Sequence, residues 1–254
     1  PLYSSAASDV YKRQKEVFVL TLEGTINPIS ERYLDRGIGR AEEAGAECVI
    51  VRLNTYGGLV PTMDTIVERF LRAKVPVVVY VAPGGAKADS AGCFVTLAAH
   101  VAAMAPNTVI GSASVVTMMP VPGGQKEEKP DPNVEALLRK TTNHAISVMK
   151  NIARERGRNE EWAVAAVREA RNDTAADALQ AGVIDVVAKD LDDLLAQIDG
   201  RKVKVAGRVV TLVTRGAVVR DLPMSPTQRL LFAISDINVA YVLLMLGVYG
   251  LIYE

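Results

Sequence analysis

Two rhythms of hydrophobic and polar positions alternate along the chain. Short, nearly continuous apolar runs at Val17–Leu22 (VFVLTL), Glu47–Leu53 (ECVIVRL) and Val75–Val81 (VPVVVYV) read as strands buried on both faces. Between them, Ser30–Ala44, with Ser30 as N-cap, and Met63–Ala73 read as helices. Ser90–Ala103 is apolar nearly all round and is predicted to be one internal helix. Thr108–Ile110 and Val115–Met118 are short strand pieces. The clearest amphipathic helix is Asn133–Arg156, where Val134, Leu138, Thr141, Ala145, Val148 and Ile152 recur at spacings of three and four. Glu161–Ala170 and Ala175–Ala181 add helical stretches, with Gly182 as C-cap and Val183–Val187 as a closing strand. Strands alternating with helices predict an α/β fold, a parallel sheet wrapped by helices.

The remaining segments break that pattern. Met119–Asn133 is polar and rich in Pro and Gly, which predicts a surface loop that serves as a flap beside Lys140. Val203–Val219 alternates in the β manner and reads as a hairpin-like extension. Ser225–Ser235 is amphipathic and leads into the apolar run Val239–Tyr253, which falls short of the ~20 residues that span a bilayer and reads as the start of a transmembrane helix. At the other end Ser4–Gln14 (SSAASDVYKRQ) is the direct translation of a transposon-type sequencing adapter. The expected division is therefore 1–14 as non-native sequence, 15–200 as one α/β domain, 201–224 as a β extension or linker, and 225–254 as an amphipathic segment and truncated membrane helix. On this reading the sequence continues beyond both ends.

Composition narrows the chemistry. With 29 basic and 29 acidic residues among 254, the net charge is zero, and there is no electrostatic footprint for nucleic acid. Cys48 and Cys93 lie in apolar runs and read as buried small hydrophobes rather than a disulfide. No His, Cys and carboxylate cluster has metal-ligand spacing, so neither metal nor cofactor is expected.

Ser90-Ala91-Gly92 opens the small-residue run Gly84–Met104. A hydroxyl at the N-terminal end of a buried helix sits beside unpaired backbone N–H groups that favour developing negative charge. Such a serine needs a base within reach. His100 would lie about 15 Å along the same helix, too far to serve. His144 is one candidate, on the same face as Lys140 one turn away. Lys140 is the better one: at the edge of the apolar stripe its ammonium would be desolvated on docking, and burial lowers a lysine from ~10.4 by as much as ~3–5 units. Gly57 and Gly58 follow the second strand, where glycine permits close backbone approach; with the Ala91 N–H they are candidate donors of an oxyanion hole.

The order Asn54–Gly58 (NTYGG), Ala86–Gly92 (AKADSAG), Met104–Gly111 (MAPNTVIG) and Lys140–Asn143 (KTTN) resembles the NfeD family of membrane-bound serine proteases, in the Clp-protease/crotonase superfamily. Arg156–Asn159 (RGRN), Ala178–Asp185 (ALQAGVID) and Asn238–Leu244 (NVAYVLL) extend the resemblance from Lys15 to the end. It implies a Clp-protease/crotonase-like fold and an ATP-independent endopeptidase with a Ser-Lys dyad: Ser90 as nucleophile, Lys140 as general base, and Gly57, Gly58 and Ala91 as oxyanion donors. It also implies a stomatin-like membrane protein as partner, cleaved in an apolar segment, a homodimer or larger homo-oligomer, and a protease domain outside the cytoplasm. Leu59, Val60 and Val116 would line an apolar substrate groove. Two residues depart from the family pattern and are candidate modulators. Tyr56 stands where proline is usual and would loosen the turn or fill a substrate pocket. Asp89 stands where alanine is usual and would cap the helix or pair with Lys140. The rival readings are a non-catalytic membrane scaffold for a stomatin- or flotillin-like partner and a crotonase-type acyl-CoA enzyme.

Overall fold

A computed structural model describes residues 15–114 and 132–254. In chain order the elements are β1 (Glu16–Glu23), α1 (Pro28–Ala44), β2 (Cys48–Asn54), α2 (Val60–Leu71), β3 (Val77–Val81), β4 (Lys87–Ala88), α3 (Ala91–Ala98), β5 (Val101–Met104), β6 (Val109–Gly111), α4 (Pro132–Arg156), α5 (Glu160–Arg168), β7 (Asn172–Thr174), α6 (Ala175–Gln180), β8 (Val186–Val187), α7 (Leu191–Ile198), β9 (Lys202–Val205), β10 (Arg208–Thr211), β11 (Val218–Asp221), α8 (Pro226–Ile234) and α9 (Ile237–Tyr253). The main sheet has six strands in the order β11-β1-β2-β3-β5-β8, all parallel. A smaller sheet, β4-β6-β7, stands beside it, and its strand β4 leads the chain into α3.

The apolar runs are continuous because the central strands are covered on both faces. Leu20, Val49, Val51, Val77, Val79, Ala102 and Met104 point into one core, with α1 to α5. Val19, Cys48, Ile50, Val78, Tyr80, Val101 and Ala103 point into the other, under α7 and the β9–β10 hairpin. Cys48 and Cys93 therefore lie on opposite sides of the sheet, as free buried thiols.

Two expectations are corrected. The N-cap of α1 is Asn27, whose side chain accepts from Ile29 and Ser30 N–H; Ser30 returns a hydroxyl contact to the Asn27 N–H, completing a capping box. The predicted helix Ser90–Ala103 is two elements, because a uniformly apolar run carries no period to separate helix from buried strand. Helix α3 stops at Ala98, and the guanidiniums of Arg156 and Arg158 cap its last carbonyls at Leu97, Ala98 and Ala99. The His100 N–H then donates to Val77 O, the Val77 N–H donates back to His100 Nδ1, and the chain leads into β5. Within 201–224, β9 and β10 form a hairpin and β11 returns from it to pair with β1 at the sheet edge. Helix α7 was not anticipated, although Asp190 caps it and Leu194, Leu195 and Ile198 bury one face. Val115–Met118 and most of the predicted loop lie outside the described residues.

Helix α8 starts with a capping box from Ser225 and Gln228 and rests Phe232 on the core. Helix α9 is apolar apart from Asn238, and its side chains from Val239 onward are exposed. Among the described residues no single helix is long and apolar enough to cross a membrane; α8 and Val239–Tyr253 meet that requirement together, bent by 72°.

Asp185 joins three parts of the fold. Its carboxylate accepts from Arg158 at 2.7 Å, from Arg201 at 2.7 Å and from the Ala102 N–H at 2.8 Å. Asp185→Ala leaves the buried Arg158 guanidinium uncompensated, and we expect it to lower stability by about 3–5 kcal/mol in urea unfolding. A loss under ~1 kcal/mol would contradict this role.

Candidate active site

The turn after β2 is bonded on both sides. On one side the Ile26 N–H donates to Gly57 O at 2.8 Å and the Leu59 N–H to Ile26 O at 3.0 Å. On the other, the Thr55 N–H donates to Lys87 O, the Asp89 N–H to Thr55 O, and the Lys87 N–H to Asn54 Oδ1. Within the turn the Gly57 N–H donates to Thr55 Oγ1 at 2.9 Å. Both glycines are required by their surroundings. At Gly57, with φ +114°, a Cβ would stand 2.6 Å from Ser90 Cβ, 3.0 Å from its Oγ and 3.3 Å from the Ala91 nitrogen. At Gly58 a Cβ would collide with the Ile26 carbonyl.

Ser90 thus faces this turn directly. It precedes α3 with φ +50° and ψ −118°, a conformation costing a non-glycine residue on the order of 1–3 kcal/mol. Its N–H donates to Ser112 O at 2.6 Å, and its carbonyl accepts from Cys93 at 3.0 Å, which holds the backbone there. Every residue of α3 is buried, and the half-buried Ser90 stands at the positive end of its dipole. Among the described residues the Gly58 and Ala91 N–H groups have no hydrogen-bond partner, whereas the Gly57 N–H is taken by Thr55. The three expected donors are therefore reduced to two.

The charged groups are arranged differently from the expectation. Lys140 lies on the exposed side of α4. The reason is in that helix: its buried contacts begin at Ala145 and continue through Met149, Ile152 and Ala153, while Leu137 is 53% exposed. His144 is directed at α2, with Nε2 3.8 Å from Asp64 Oδ2. His100 is buried and its Nδ1 accepts from the Val77 N–H; burial, then the charges of Arg156 and Arg158, push its pKa down to about 3. Asp89 is half-buried, and burial raises its carboxyl against the opposing pull of Lys87. Among the described residues its side chain neither caps α3 nor pairs with Lys140. Tyr56 stands in a turn that is hydrogen-bonded on both sides. It projects outward, 75% exposed, with the Lys87 ammonium 4.4 Å from its ring centroid. Leu59 and Val60 are exposed just beyond the glycines, and Val116 lies outside the described residues. Thr55, Lys87 and Ser112 were not singled out from sequence. Their roles come from β4 lying beside the turn and from a backbone contact across the smaller sheet, and neither leaves a local signal.

A serine presented by a positive-φ backbone at the start of a buried helix, facing a double-glycine turn, can attack a carbonyl whose oxygen rests on two N–H groups. The fold that carries it is Clp-like: ClpP1 from Listeria monocytogenes superposes with a TM-score of 0.52 at 20% identity, over 69% of this chain and 94% of that one. Residues 16–207 match the NfeD1b N-terminal domain, and the chain belongs to that family. It is 39% identical over 238 residues to the membrane-bound protease PH1510 of Pyrococcus horikoshii, covering 93% of this chain and 52% of that protein. The chain thus spans about half the length of that relative. The 1510-N membrane-bound stomatin-specific protease, solved as a lysine-to-alanine mutant with a substrate peptide, superposes with a TM-score of 0.77 at 36% identity, over 86% of this chain and 97% of that one. Its serine-to-alanine mutant gives 0.75, also at 36%, over 84% and 99%.

The contact between Gly57 and Ser90 can be tested without a substrate. Gly57→Ala forces its methyl against Ser90, and phosphonylation of Ser90 by an alkyl fluorophosphonate should slow at least ~10²-fold. Unchanged labelling would show that the turn does not shape the nucleophile's surroundings.

Proposed function

We propose that this chain carries the protease domain of a membrane-attached, ATP-independent serine endopeptidase. The observation that carries the reading is Ser90 itself, held at φ +50° at the start of buried α3 and against Gly57. Ser90 Oγ attacks the scissile carbonyl while its proton passes to the neutral amine of Lys140. The oxyanion accepts from the Gly58 and Ala91 N–H groups. The Lys140 ammonium then protonates the leaving amine, and a water that gives its proton to Lys140 hydrolyses the acyl-enzyme.

Lys140 is exposed in the single chain, on the half of α4 that precedes Ala145, the first buried residue of that helix among the described residues. Docking of an apolar substrate segment, or of a second copy in a homodimer or larger oligomer, covers this surface and desolvates the amine at the moment of use. The partner is a stomatin-like membrane protein, a reading supported by the stomatin-specific relative. Helices α8 and α9 supply apolar surface for attachment to the membrane, with the protease domain outside the cytoplasm. A non-catalytic scaffold is the second reading, favoured by the exposure of Lys140.

Cleavage of casein and of an apolar stomatin-type peptide distinguishes them. Ser90→Ala and Lys140→Ala should each reduce kcat/KM by more than ~10³-fold. Loss in Ser90→Ala with survival in Lys140→Ala moves the base to His144. A folded parent that binds the peptide and cuts nothing supports the scaffold.

A further inference from the structure

The rim of the cleft is chemically divided at the double glycine. Past Gly58 it is apolar, with Leu59 and Val60 exposed. Before Gly57 it is cationic. Strand β4, which leads into Ser90, runs beside Asn54 and Thr55 through bonds at the Lys87 N–H and carbonyl, so Lys87 is fixed next to the turn. Its side chain is half-buried, and its ammonium lies over the Tyr56 ring. Among the described residues Lys87 makes no salt bridge; its charge acts on the half-buried Asp89 carboxyl two residues away but leaves the ammonium's donors unpaired by any carboxylate. A cation held on an aromatic face keeps its position with few rotamers to lose, and a partner carboxylate can be added without displacing anything.

We infer that Lys87, positioned by Tyr56, is a specificity-determining residue that selects a substrate carrying a carboxylate side chain close to the scissile bond, with the apolar residues of the substrate falling toward Leu59 and Val60. The inference rests on the endopeptidase reading. A substrate carbonyl seated on the Gly58 and Ala91 N–H groups lies between the two halves of the rim, so the chain flanking it on one side passes Tyr56 and Lys87. The recognition is electrostatic and weakens as added salt screens it.

The test uses apolar peptides of one sequence in which Glu, Gln or Lys is placed in turn at each position within three residues of the scissile bond. At one position the parent should prefer Glu over Lys by about three- to tenfold in kcat/KM, normalised to the Gln peptide. Lys87→Gln should flatten that preference, Lys87→Glu should invert it, and Tyr56→Leu should weaken it. The same peptides are titrated onto Ser90→Ala, where no cleavage is needed. If nothing is cut but Ser90→Ala binds the Glu peptide over the Lys peptide, and adding Lys87→Glu inverts that order, the recognition stands while the endopeptidase reading fails. If cleavage and binding show the same charge order with Lys, Gln or Glu at position 87, the inference is overturned and the endopeptidase reading is untouched.

Discussion

The site depends on the contact between Gly57 and Ser90. A residue with a side chain at position 57 would overlap Ser90, and a serine in an ordinary conformation would not face the turn. Each partner needs separate support. The turn is bonded to Ile26 on one side and to Lys87 and Asp89 on the other, and Thr55 closes it from within. Ser90 is held by Ser112 and by the first turn of α3. The energy of the strained serine is supplied by those bonds and by burial of the whole helix behind it.

That helix in turn is anchored at its far end. Arg156 and Arg158 reach back from the end of α4 to cap the α3 carbonyls, and Asp185 neutralises Arg158 while holding β5. The doubly covered sheet therefore fixes α3 at both ends, and its N-terminal N–H groups are held in place before any substrate arrives. His100 illustrates the cost of this packing. It sits between β3 and β5 with Nε2 buried and without a partner among the described residues, neutral because burial and two arginines oppose its charge.

Much of this was legible in the sequence. The apolar runs pointed to β1, β2 and β3 because residues buried on both faces leave no alternation, and the same property merged β5 with α3 into one expected helix. Ser90, Ala91, Gly57 and Gly58 stood out as small residues at a helix start and a strand end, but such residues are more often packing or a plain turn, and it was the order of motifs resembling the family that implied their roles. The strength of Thr55 as a turn clamp, the cationic rim made by Lys87 on Tyr56, and the return of β11 to the sheet edge all arise from pairing between distant segments. Lys140 lies on the expected helix, and its expected desolvation was tied to docking, which a single chain does not contain. The apolar stripe of α4 is real from Ala145 onward, whereas the half that bears Lys140 stands clear of the core.

The central claim is that Ser90 forms a covalent acyl-enzyme. The most direct measurement is rapid-quench mass spectrometry of the chain mixed with an activated ester of an apolar peptide. The account predicts a transient mass increase equal to the acyl group, located on the peptide that contains Ser90 and absent in Ser90→Ala. Product formation with no adduct on Ser90, or an adduct that survives in Ser90→Ala, would contradict it.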